Sequence, residues 1–175
     1  NAYGPDMGWA RDPSLAGGSC VIDLGVHLVD LALWTLDFPR VTRVTSQLFA
    51  GGRRIEPGTA TCEDLAFATL ELDGGITLRL ACSWEVHTGR DAIIETRFHG
   101  SAGGASMRNV NGSFYDFEAG LHRGAATQVL SVPPDEWGGR ALVAWADQLA
   151  RGGRYDASVE TAHAVAQALD AVLGR

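Results

Sequence analysis

From Ser19 onward apolar residues recur at helical spacing. Val21, Ile22, Gly25, Val26, Leu28, Val29, Leu31, Ala32, Leu33, Trp34 and Leu36 fill most of a helical surface, broken at Asp23, His27 and Asp30. The pattern predicts a largely buried helix over residues 17–34, ended near Asp37 by Pro39. The stretch 1–18 ahead of it, with Gly4, Pro5, Pro13, Gly17 and Gly18 around Tyr3 and Trp9, reads as an ordered loop. Beyond the helix the period changes. Val41, Thr42, Val44 and Thr45 mark a strand over 41–50, followed by a loop over 51–61. Residues 64–72 and 76–86 alternate on either side of Asp73-Gly74-Gly75, which predicts a β-hairpin. A strand over 92–99, a turn at 100–104 and shorter strands over 105–110, 113–118 and 127–132 complete a meander. Two helices close the chain, one over 136–150 and stopped by Arg151-Gly152-Gly153, the other from Ser158 to Leu173.

Helix, run of strands, helices is the order of an α+β fold, an open and mostly antiparallel sheet with helices on one face. Such a sheet leaves its other face to be covered. A Rossmann fold needs alternating strands and helices, and no strand here runs into a GxGxxG that opens a helix. The nearest glycine cluster, Gly100-Ser-Ala-Gly103-Gly104, lies between strands and reads as a turn.

Composition narrows the classes. At 175 residues the expectation is one domain with a real core, and 46% hydrophobic against 20% charged residues excludes a disordered or fibrous chain. A formal charge of -7 offers no broad footprint for a phosphate backbone, so nucleic acid is not an expected partner. All 14 basic residues are Arg, so no lysine is present to act as general acid, Schiff-base former or phosphate anchor. Cys20, Cys62 and Cys82 are odd in number and widely spaced, which fits reduced thiols and a cytoplasmic location better than disulfides or zinc. No uninterrupted apolar run approaches the roughly 20 residues of a membrane span.

Asp23 and His27 are four residues apart, so on a helix they share a face, and Asp30 extends it. Either they satisfy each other or nearby backbone, or they handle a ligand: a histidine takes a proton from a hydroxyl while the carboxylate orients it. Gly25 between them favours the second reading. Glycine inside a helix costs about 1 kcal/mol relative to alanine, which suggests that backbone or ligand approaches closely there.

The string Gly17-Gly18-Ser-Cys-Val-Ile-Asp23-Leu-Gly25-Val-His27-Leu-Val-Asp30-Leu-Ala-Leu-Trp34, followed by Phe38-Pro39, resembles the signature helix of the glucose-fructose oxidoreductase, inositol dehydrogenase and MocA family. The similarity extends to the loop with Trp9, the Asp73-Gly-Gly75 hairpin, the Phe98-His-Gly100 to Gly104 turn and the closing helices. It implies a C-terminal domain of the dihydrodipicolinate reductase-like type, one substrate-binding and oligomerisation domain over 1–175. It further implies a dinucleotide-binding Rossmann domain, with the family's glycine motif and catalytic lysine, outside this chain. By position, His27 takes the general base's role and Asp23 that of its partner on the same hydroxyl, while Asp30 and Trp34 read as structural. The implied cofactor is NAD or NADP, bound mainly by the other domain and not by this chain alone. The implied substrate is a sugar, inositol or related polyol, and the implied assembly a homodimer or tetramer through the open sheet face.

Tyr3, Trp9 and Arg11 either close over a sugar or pack against the sheet. His87 is read as a surface-loop histidine or, less simply, as a pocket residue. Arg53-Arg54 is a solvated pair or a phosphate contact. His99, His122 and His163 lack metal-ligand spacing, so no metal is expected. The favoured reading is thus half of an NAD(P)-dependent oxidoreductase. The rivals are a non-catalytic binding or scaffold module and a hydrolase or lyase, the last without a GxSxG elbow or an HExxH.

Overall fold

Small and branched apolar residues alternate with polar ones on either side of Asp73-Gly74-Gly75, and the chain folds there as a hairpin. In the computed structural model, which describes residues 1–6 and 8–175, β3 (Leu65–Leu72) pairs antiparallel with β4 (Ile76–Ser83) from Leu65↔Ser83 to Leu72↔Ile76. Ala66, Ala68, Leu70 and Leu72 of β3 point into a core with Leu80 and Cys82 of β4, while Phe67 and Glu71 face away. β1 (Val41–Ala50) joins the other edge of β3, with Leu48 buried. The segment expected to be all loop holds one more strand, β2 (Arg53–Ile55), which turns at Gly51-Gly52 to pair with β1. Two arginines in three residues hid it from a hydrophobic pattern.

These strands form a four-stranded sheet in the order β2-β1-β3-β4, and they belong to a compact unit of Asn1–Asp91 and Glu160–Arg175. Helices cover one of its faces. α1 (Pro13–Ala16) is a single turn capped by Asp12, whose carboxylate accepts from Ser14 N at 2.9 Å and Ser14 Oγ at 2.6 Å. Those bonds hold the Asp12 carboxyl below its ordinary range. Gly17, in the left-handed region at φ 66°, ends α1. A π-helical turn, Val21–Gly25, then runs into α2 (Val26–Thr35). The helix expected over 17–34 therefore starts after the two glycines, and it ends where Asp37 and Phe38 turn to positive φ. Residues Pro13–Thr35 are apolar enough in composition to cross a membrane. The break at Gly17 leaves only the five-residue π turn and the ten-residue α2 as continuous helix, short of the roughly 20 residues a span requires. α4 (Thr161–Leu173) buries Val165, Leu169 and Val172 beside Val21, Val29 and Leu33.

The second unit, Ala92–Val159, carries β5 (Glu95–Gly100), β6 (Gly103–Asn109), β7 (Phe117–Arg123) and β8 (Ala126–Ser131) as a second antiparallel sheet in sequential order. The α+β class and the antiparallel pairing agree with expectation, with the strands divided over two sheets of four. The strand expected over 113–118 begins later, because Ser113 Oγ accepts from the Tyr115 and Asp116 amides at 3.1 Å and holds that stretch in a turn. α3 (Arg140–Ala150) starts later than Glu136 and leaves Leu142, Trp145 and Leu149 exposed. Asn109 is buried, donating through Nδ2 to Ala92 O at 3.0 Å and Ser113 O at 2.8 Å, while its Oδ1 accepts from Ile94 N at 2.9 Å. Asn109→Ala strands three backbone groups, so it should cost this unit about 2 to 4 kcal/mol. Hydrogen exchange at the Ile94 amide reads the effect, and unchanged protection there would contradict this role.

Candidate functional site: a helix stripe and the tryptophan beneath it

The helix that carries Asp23 and His27 begins on a buried carboxylate. Glu63, 2% exposed, accepts from Ser19 N at 3.1 Å and Val21 N at 3.0 Å through Oε1, and its own carbonyl accepts from Cys20 N at 3.3 Å. These amides are among the orphan donors that every helix start leaves, and the negative charge suits the positive end of the helix dipole. Below the helix, Cys20 Sγ lies 3.6 Å from the Cys82 carbonyl. Hydrogen bonding with Cys82, then burial, push the Cys20 thiol far up, so it remains an inert core group.

The π turn is closed by the Val26 amide donating to Val21 O. It brings Gly25 against β4, where an added Cβ would stand 3.4 Å from Leu80 Cδ2 and 3.5 Å from Cys82 Sγ. The close approach inferred from this glycine is thus made by strand side chains and not by a ligand. The contacts are ordinary ones, and the residue sits at φ -60°.

Asp23 and His27 are both exposed, contrary to the expectation of ionisable groups in a buried helix surface. The wide apolar pattern misled because Leu24, Val26, Leu28 and Leu31 are only partly buried, which leaves a polar stripe in the open. Asp30 and Trp34 lie on that stripe too. Trp34 is 68% exposed, so its structural reading is corrected: it packs on no core. Among the described residues His27 makes no hydrogen bond or ion pair.

Asp23 is held from beneath. Trp84, which follows β4 and is 4% exposed, donates from Nε1 to Asp23 Oδ2 at 2.9 Å. Arg11, in a 3-10 turn at Gly8–Arg11, places its guanidinium carbon 5.7 Å from the Trp84 ring centroid and pairs with Glu85. The site therefore brings Asp23 and Arg11 together through one indole. Arg11 and Glu85 also border an open concavity of about 460 Å³ with Tyr3, Gly4, Asp6 and Gly8. Trp9, 54% exposed, and His87, exposed in the loop after β4, do not line it. Arg53 and Arg54 are exposed on β2. Sequence reasoning missed Trp84, Glu85 and Glu63. The available signal was a tryptophan at the end of an alternating strand, since a buried indole N–H needs an acceptor.

A family model described as the GFO/IDH/MocA C-terminal domain matches residues 1–106. The chain belongs to this family. Among curated family relatives, it is 30% identical over 112 residues to the D-glucoside 3-dehydrogenase of Escherichia coli strain K12, covering 59% of the chain and 32% of that protein. It is 35% identical over 113 residues to a putative UDP-kanosamine synthase oxidoreductase subunit of Amycolatopsis mediterranei strain S699, covering 58% of the chain and 31% of that protein. Among solved structures, a 3-ketoreductase from Actinomadura kijaniata, in complex with NADP and TDP-benzene, superposes with a TM-score of 0.69 at 19% identity. That match covers 97% of this chain and 50% of the ketoreductase, and it shows the shared fold. The chain spans about a third of the curated relatives and half of the solved one.

Glu63→Ala should lower stability by about 2 to 4 kcal/mol, the sum of a lost cap and stranded amides, as read from urea unfolding. Gly25→Ala should stay within about 1 kcal/mol of the parent, since helix propensity offsets the added contacts. A large loss in that variant would mean that β4 approaches more closely than ordinary contact.

Proposed function

We propose that this chain is the substrate-binding half of an NAD(P)-dependent oxidoreductase that acts on a secondary alcohol of a sugar, inositol or related polyol. The observation that carries the reading is a carboxylate fixed from below with an exposed histidine four residues on, in a helical segment inside the stretch that matches the family. Curated relatives named as a glucoside dehydrogenase and an oxidoreductase subunit support the sugar class.

On this reading His27 takes the proton of the substrate hydroxyl and Asp23 accepts a hydrogen bond from the same hydroxyl. An exposed imidazole, open to a ligand, suits that task. A nicotinamide, where one is bound, supplies the acceptor for the hydride that leaves the carbon. Every strand pairing described is antiparallel, and no glycine-rich turn leads from a strand into a helix. A Rossmann cradle is built on parallel βαβ units, so the antiparallel pairing supports placing it outside these residues. The cofactor belongs, on our reading, to a Rossmann domain encoded outside these residues, together with the lysine that this chain lacks.

Arg11 and Trp9 are proposed to border the sugar, and His87 to lie at its margin. A dimer or tetramer is proposed through the uncovered face of the first sheet. There Phe67 is exposed and its ring meets Phe49 edge-on at 6.3 Å. Three free cysteines, two of them buried, support a cytoplasmic location.

In the full polypeptide that carries these residues, His27→Ala should lower turnover of methyl β-glucoside by roughly two to four orders of magnitude. Near-normal turnover would place the base elsewhere. The isolated 175-residue chain should neither bind NAD tightly nor oxidise the glucoside. Either activity in a purified sample would refute the division into halves.

A further inference from the structure

Trp84 is fixed on every side. Its amide donates to Asp64 O at 2.8 Å and its carbonyl accepts from Ser83 Oγ at 2.7 Å. The next residue, Glu85, takes a left-handed backbone at φ 62°, uncommon for a residue with a side chain and of a kind that collects at functional sites. Glu85 is tied to Arg11, and Arg11 lies over the indole. Gly4 closes the packing from the N-terminal loop. A Cβ there would stand 2.6 Å from Arg11 Nη2 and 3.2 Å from Trp84 Cβ, so a side chain at this position would displace the Arg11 guanidinium and press on Trp84. The chain has spent a strained residue, an ion pair and a close backbone approach on holding one ring whose single polar atom points at Asp23 Oδ2. Indole is a donor only, so its partner at this position must be an acceptor.

We infer that Trp84 is the positioning residue of the hydroxyl-binding carboxylate. Its Nε1–H holds Oδ2 and turns Asp23 so that Oδ1 is offered to the substrate hydroxyl, and Arg11 links that orientation to the N-terminal loop. An exposed aspartate on a helix otherwise samples several rotamers, and fixing one before the substrate arrives removes that ordering cost from the reaction. The inference rests on the role of Asp23 proposed above.

Two measurements on the full polypeptide test it, with methyl β-glucoside and whichever of NAD and NADP it reduces as the probe. The first is a cycle of Trp84→Phe, Asp23→Asn and the double variant. Loss of one hydrogen bond to a carboxylate should cost Trp84→Phe roughly ten- to a hundred-fold, mainly in kcat with KM little changed. The double variant should then be no slower than Asp23→Asn alone, because Trp84 acts on the reaction only through the Asp23 carboxylate, which asparagine no longer supplies. Losses that multiply would overturn the positioning role. The second leaves Trp84 in place and so holds even where Trp84→Phe folds poorly. Asp23→Asn should move the Trp84 indole N–H resonance more than that of any of the other tryptophans. An unmoved resonance would overturn the hydrogen bond itself. Full turnover in Asp23→Asn would instead strike at the proposed role of Asp23, with the resonance shift still reporting the contact.

Discussion

The placement of this site depends on one buried carboxylate. Glu63 gathers the amides of Ser19 and Val21 at 3.1 and 3.0 Å and so sets where the helix starts and which way it points. From that start the π turn brings Gly25 onto β4, and the same turn raises Asp23 over the end of that strand, where Trp84 waits. A helix start left without such an acceptor inside a protein would carry unsatisfied donors at a cost comparable to a sizeable part of a domain's net stability. One anchor therefore serves both ends: the group that satisfies the helix start also sets where Asp23 and His27 stand.

The site divides its work between buried and open groups. Trp84, Glu63, Cys20 and Cys82 are buried, whereas Asp23, His27, Asp30 and Trp34 form an exposed stripe. This reverses the expectation that Asp23 and His27 interrupt a buried helix surface. They are not ionisable groups stranded in an apolar interior whose presence needs explaining by desolvation. They are surface groups, one of which is immobilised by a buried donor, and pre-organisation is the more economical explanation of a hydrogen bond at 2.9 Å from a buried indole.

Much of the fold was legible because the signals were local. The β-branched run over Val41–Ala50 forms a strand with the expected bounds, and the Asp73-Gly74-Gly75 turn closes the expected hairpin. The motif from Gly17 to Trp34 pointed to the right family through residue types at fixed spacings. What was hidden was long-range. Glu63 reaches a helix start 44 positions away and Trp84 reaches Asp23 across 61, and neither separation leaves a periodicity to read. β2 was lost because a three-residue edge strand of Arg53, Arg54 and Ile55 has no hydrophobic alternation. The π turn was lost because Val21, Ile22 and Leu24 fit an α-helical stripe equally well.

The most direct test of the account is a crystal structure of the full polypeptide with nicotinamide cofactor and methyl β-glucoside bound. It should place one sugar hydroxyl within about 3.2 Å of both Asp23 Oδ1 and the His27 ring, with the Trp84 bond to Oδ2 retained. A sugar bound with its reacting hydroxyl out of reach of both side chains would contradict it.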